Sequence, residues 1–189
     1  MTNAVIRLIV WLFGARPTAT VPVAAEDNRH RLHIPQSLIN KLRELTRPQH
    51  RPEPLAFLKA RFASEKSRRV VVAIGVLPFP DEAYIDGPAG ANFRTEWAID
   101  LANAGIPDNV GLMLVHSHGG AGLPMFSGID TRTNESIMAM LAVGVETAPF
   151  GAVVLSDTDA RCVLATNDGL VDTKVIMVPD RFGELRASA

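Results

Sequence analysis

A single cysteine, Cys162, stands among 189 residues, so no intramolecular disulfide can form. That excludes the disulfide-stapled scaffolds of small secreted domains and fits a reducing, cytoplasmic setting. Cys162 lies in the apolar stretch from Ala160 to Ala165, where a thiol is expected to be a buried structural group rather than a nucleophile. An excess of one charge is also missing: 19 Lys and Arg oppose 20 Asp and Glu, for a formal net charge of −1. Nucleic-acid binders carry a basic face. The short basic clusters here, Arg61 and Lys66-Ser67-Arg68-Arg69, read as solvated turn, so nucleic acid is not an expected partner. Repeats and low-complexity tracts are absent, and Ala4 to Phe13, apolar except for Arg7, falls short of the ~20 residues of a membrane span.

The chain is 47% hydrophobic and 21% charged, the balance of a folded domain with one core. Three readings apply to Ala4–Phe13. Its Val, Ile, Trp and Phe content favours a strand that is buried or covered by a partner. A signal peptide is the second, because small residues follow at Ala15, Thr18 and Ala19, although Arg7 interrupts the apolar run. The third is an apolar segment that docks a partner protein.

Further along, a short strand is expected over Arg29–Ile34, followed by a helix with Pro35 as its first residue and Leu38, Leu42 and Leu45 as its apolar stripe. Three prolines in Arg47–Pro54 end it. Strands follow at Pro54–Ala63 and Arg69–Val76, then a Pro/Asp/Gly-rich excursion from Pro78 to Ala91. Phe93, Trp97 and Leu101 mark a second helix, and Val110–Val115 a wholly hydrophobic, central strand. A third helix is expected over Thr131–Val143, with strands at Gly151–Leu155, Arg161–Leu164 and Val171–Val178. Ser156-Asp157-Thr158-Asp159 joins the first two of these as a polar turn, and the residues from about Arg181 form a polar tail. The fold class expected is α/β (α+β), a mixed β-sheet flanked by helices.

Chemistry concentrates between Val115 and Asp130. Two histidines one residue apart, His116 and His118, point to the same side of an extended chain and can offer two imidazole nitrogens to one ion. A carboxylate at the start of the next helix, Asp130, can return as a third ligand, and such a set leaves a fourth position open, as a catalytic metal site requires. Glycines between them permit tight turns. Ser127-x-x-Asp130 ahead of an apolar helix also matches a capping box, so capping and ligation can coexist.

The segment resembles the HxH…SxxD signature of the JAMM (MPN+, or JAB) zinc metallopeptidases, which include deubiquitinating enzymes. The resemblance implies one Zn²⁺ held by His116, His118 and Asp130, with Ser127 stabilising an oxyanion and an upstream glutamate as general base. Glu53 takes that place, at the start of the strand after the first helix. Glu96 is its rival, while Glu82 and Glu135 are out of order. Two departures stand out: eight residues rather than seven separate His118 from Ser127, and Gly119 replaces the family's proline. The implied organisation is an N-terminal segment and linker over 1–28, a JAB/MPN domain of cytidine-deaminase-like architecture over 29–180, and a tail over 181–189.

The same resemblance implies a peptidase or isopeptidase that cleaves after the C-terminal tail of a ubiquitin-like protein, within a bacterial ubiquitin-like pathway. Pro78–Gly105 would wall a groove that holds the tail by strand addition, with Arg94 and Trp97 as contacts. The alternatives are a non-catalytic MPN-type scaffold that binds a partner and a JAB-like DNA-repair protein. Intact ligands weigh against the first and the near-neutral charge against the second.

Overall fold

Continuous apolar runs build the central strands, buried along nearly their whole length, and strands that alternate buried with half-buried residues flank them. The computed structural model describes residues 30–47, 54–64, 67–84, 107, 109–128, 130, 148–167 and 169–180. In chain order these give β1 (Arg31–Pro35), α1 (Gln36–Leu45), β2 (Ala56–Ser64), β3 (Ser67–Pro78), β4 (Gly111–Ser117), β5 (Gly151–Leu155), β6 (Ala160–Thr166) and β7 (Gly169–Val178), with a 3-10 turn at Asp81–Ala83. The strands close into a barrel in the order β1-β3-β2-β4-β5-β6-β7.

Closure depends on the five residues of β1. β1 pairs in parallel with β3, Leu32 opposite Val71, and in parallel with β7, Leu32 opposite Val175. Antiparallel ladders join β2 to β3 and to β4, β5 to β6, and β6 to β7, while β4 and β5 run parallel. The expected sheet flanked by helices, in a JAB/MPN arrangement, is therefore corrected: the sheet is mixed but closed, and α1 is the one bounded α-helix among the described residues. Local periodicity locates strands but carries no information about which distant strands meet, so an open sheet and a barrel look alike in sequence. The helices expected around Phe93–Leu101 and Thr131–Val143 lie outside the described residues, as do Ala4–Phe13 and the tail. No helix among the described residues is long and apolar enough to cross a membrane.

Alternation divides the core in two. Ala56, Leu58 and Ala60 of β2 join Met113 and Val115 of β4, Leu32, Ile34, Val71, Val153, Leu155, Cys162 and Leu164 in the larger cluster, which takes in Ile39 and Leu42 of α1. The intervening residues Leu55, Phe57, Leu112 and Leu114 form a second cluster with Phe79 and Ala83, so both faces of β2 and β4 are covered. Phe79 stacks on Phe57 with ring centroids 5.4 Å apart and meets Tyr84 edge-on at 4.9 Å. The Tyr84 hydroxyl accepts the Leu55 amide at 2.6 Å, tying the segment after β3 to the start of β2.

Candidate metal centre

β4 delivers the first histidine. It lies between β2 and β5 and is buried along six consecutive residues, Gly111 to His116. Leu112, Leu114 and His116 share one face by strand alternation, so His116 continues the face of the second cluster and is only 4% exposed. Register fixes which end of the barrel this is. Pro78, Ala56, Val115 and Val153 form one row across β3, β2, β4 and β5. The start of β2, the end of β3 and the end of β4 therefore meet at the same rim as His116.

His118 lies one residue beyond the strand and is exposed. Its amide donates to the Leu155 carbonyl at 3.0 Å, extending the β4–β5 ladder past its formal end. The chain then turns through Gly119, Gly120 and Gly122, whose φ angles of 66°, 74° and 90° lie in the left-handed region. A Cβ at any of these three would meet nothing within 4 Å, so backbone conformation and not crowding calls for glycine.

Asp130 arrives from a helical turn that begins at Gly128. The Ser127 amide donates to Asp130 Oδ2 at 2.6 Å, and the Asp130 amide donates to Ser127 Oγ at 3.1 Å. This reciprocal pair is a capping box with aspartate in the acidic place. It fixes the carboxylate over the histidines: Oδ1 lies 3.3 Å from His116 Nε2, and Oδ2 lies 3.3 Å from His118 Nε2. The two Nε2 atoms are 3.1 Å apart. Capping and convergence coexist in one residue.

The two His–Asp distances suit a metal, and the Nε2–Nε2 separation is shorter by about 0.2 Å. Donors on bonds of 2.0–2.2 Å around a tetrahedral ion are separated by roughly 3.3–3.5 Å. Charge-assisted imidazolium–carboxylate hydrogen bonds are shorter, about 2.7–2.9 Å, so both His–Asp contacts match a ligand-to-ligand edge better than a hydrogen bond. All three donor atoms lie within 4.8 Å of one another, and no other such group of three His, Cys, Asp or Glu occurs among the described residues. Burial raises the Asp130 carboxyl. The hydrogen bonds from the Ser127 amide and hydroxyl, with His116 and His118 close by, outweigh that and hold it below the usual carboxylate range. Asp130 is thus an anion at neutral pH, as a ligand must be. Two neutral nitrogens and one carboxylate fit zinc and other borderline divalent ions.

The structure brings His116, His118, Ser127 and Asp130 together. Glu53, Arg94 and Trp97 lie outside the described residues, as do Glu96 and Glu135. Glu82 sits exposed in the 3-10 turn. One part of the site was not read from sequence as more than a polar turn. Ser156 and Thr158 bind the glycine loop directly, Ser156 Oγ donating to the Gly122 carbonyl at 2.6 Å and the Gly122 amide donating to Thr158 Oγ1 at 2.9 Å. Four consecutive residues that all carry side-chain oxygens were the available signal. Phe126, its ring centroid 6.3 Å from that of His116, was likewise not singled out.

No family model and no curated protein matches the chain. The solution structure of protein DSY2949 from Desulfitobacterium hafniense is similar in fold, with a TM-score of 0.51 over 78% of this chain and 93% of that one. At 14% identity the likeness is one of fold alone.

Proposed function

We propose that this chain is a metal-dependent hydrolase of the JAMM kind, a zinc peptidase or isopeptidase acting at the C-terminal tail of a ubiquitin-like protein. One observation carries the reading: His116, His118 and Asp130 converge with donor separations of 3.1–3.3 Å. The motif and its geometry support it, while the closed barrel departs from the architecture that accompanied the motif as an expectation. Zinc in this place supplies a Lewis acid and lowers the pKa of water toward about 7.

The residues of the chain divide the remaining work. His116 and His118 each present Nε2, and Asp130 keeps its charge through the Ser127 cap. Ser127, exposed at the helix start, is assigned to the developing oxyanion. Glu53 accepts a proton from the attacking water on its carboxylate and hands it to the leaving amine nitrogen. The rim geometry favours Glu53, because Ala56, at the start of β2, stands opposite Val115, one residue before His116. It favours the segment after Pro78 as the substrate wall for the same reason. A cytoplasmic setting, with its reduced thiols, completes this reading.

The test is incubation of the zinc-loaded protein with a C-terminally extended ubiquitin-like protein, read by mass spectrometry. Wild type should trim the extension, Glu53→Gln should bind zinc without turnover, and His118→Ala should bind no zinc. Turnover in Glu53→Gln equal to wild type removes Glu53 from the mechanism, and a wild type that takes up no metal leaves the non-catalytic scaffold.

A further inference from the structure

Ligands on a glycine loop need something to hold that loop. Gly119, Gly120 and Gly122 have the widest conformational freedom of any residues in the site, yet they connect His118 to the Ser127–Asp130 cap. Without restraint, the entropy of such a loop opposes bringing Asp130 over the histidines. The β5–β6 turn supplies the restraint. Both polar backbone groups of Gly122 are taken by side chains of that turn, its carbonyl by Ser156 Oγ at 2.6 Å and its amide by Thr158 Oγ1 at 2.9 Å. The Asp157 amide donates to the Gly120 carbonyl at 2.8 Å.

The turn is itself rigid. Ser156 is 2% exposed. Its Oγ accepts the amides of Asp159 at 2.8 Å and Thr158 at 3.3 Å, and its own amide donates to the Asp159 carbonyl at 2.9 Å. Arg43 Nε, from α1, donates to the Ser156 carbonyl at 3.1 Å, so the turn is anchored to the helix as well as to the barrel.

We propose that Ser156 and Thr158 are positioning residues, a hydroxyl clamp that fixes the Gly120–Gly122 backbone so that Asp130 faces His116 and His118. The clamp rests on the metal-centre reading for its purpose, while its hydrogen bonds are made between groups of the chain itself. Its chemistry is specific. Gly122 needs an acceptor at position 158 and a donor at position 156, and a hydroxyl supplies either.

Thr158 is exposed, so its variants test the clamp without touching the core. Thr158→Val keeps the shape and removes the acceptor, Thr158→Ser keeps the acceptor, and Ser156→Ala removes the donor. Two measurements are made on metal-free protein of unchanged melting temperature: hydrogen exchange at the Gly122 amide, and Co²⁺ affinity by visible absorption. Thr158→Val should speed Gly122 exchange at least about tenfold and weaken Co²⁺ binding about 10- to 100-fold, the range for groups that orient metal ligands. Thr158→Ser should match wild type in both. Wild-type exchange and affinity in both Thr158→Val and Ser156→Ala overturn the clamp. If wild type binds no Co²⁺, the metal reading falls, and Gly122 exchange alone still decides the clamp: acceleration supports it and no change overturns it.

Discussion

Metal should stabilise this fold by an amount that the site geometry and mass action fix in advance. The donor atoms stand 3.1, 3.3 and 3.3 Å apart, against roughly 3.3–3.5 Å in a tetrahedral zinc site, so the proposed ligands lie within a few tenths of an ångström of that arrangement. On the proposed reading the folded chain binds zinc and the unfolded chain does not. Free zinc at 100 times Kd then adds about 2.7 kcal/mol to stability. For a chain of 189 residues this raises Tm by roughly 5–11 °C, at about 2–4 °C per kcal/mol. The assay is thermal unfolding of chelator-stripped protein with and without added zinc, alongside His118→Ala and Asp130→Ala. Both variants should lose the shift. A Tm that zinc leaves unmoved in wild type, or moves equally in both variants, would falsify the assignment of these three side chains as ligands.

Two further outcomes follow from the scaffold. A Cβ added at Gly111 would overlap the Pro149 carbonyl, a backbone atom that cannot swing aside, so Gly111→Ala should lower stability by about 3 kcal/mol and Tm by roughly 6–12 °C, measured by thermal denaturation. The Asp180 carboxylate accepts the Ser37 amide at 2.8 Å, at the exposed start of α1, and that hydrogen bond holds its carboxyl below the usual range. Its contribution is therefore complete above the ordinary value of 3.8 and is lost as pH falls through the depressed one. Asp180→Ala should lower Tm at pH 7 and converge on wild type in strong acid, and an equal deficit at both pH values contradicts a contribution from the Ser37–Asp180 hydrogen bond.

Strand positions were legible because their cause is local. Gly151–Leu155 is β5 as its apolar run suggests, and the alternation in Pro54–Ala63 sends Leu55 and Phe57 to one cluster and Ala56 and Leu58 to the other. The helix after β1 shows the limit of such reading. Pro35, with φ −55° and ψ 143°, is still extended and precedes the helix, which begins at Gln36. The fully buried stripe is Ile39 and Leu42, with Leu38 and Leu45 only partly covered. Barrel closure had no local signal at all. It depends on five residues of β1 meeting β3 on one side and β7 on the other, pairings whose partners lie far along the chain.

The clustering of His116, His118 and Asp130 was legible for a related reason. HxH at a strand end and SxxD at a helix start each impose direction through backbone periodicity, so the convergence of His116, His118 and Asp130 follows once the strand and the helical turn exist. What the motif cannot encode is the path between them. Gly119 adopts φ 66°, which glycine reaches without strain and which proline, confined near −65°, could not. That course runs Gly120 and Gly122 against the β5–β6 turn, where the hydroxyls of Ser156 and Thr158 receive them. A flexible, longer connection keeps its two ends in register only if a second element binds its middle. Sequence displays the two ends of that arrangement, and only the fold displays what holds the middle.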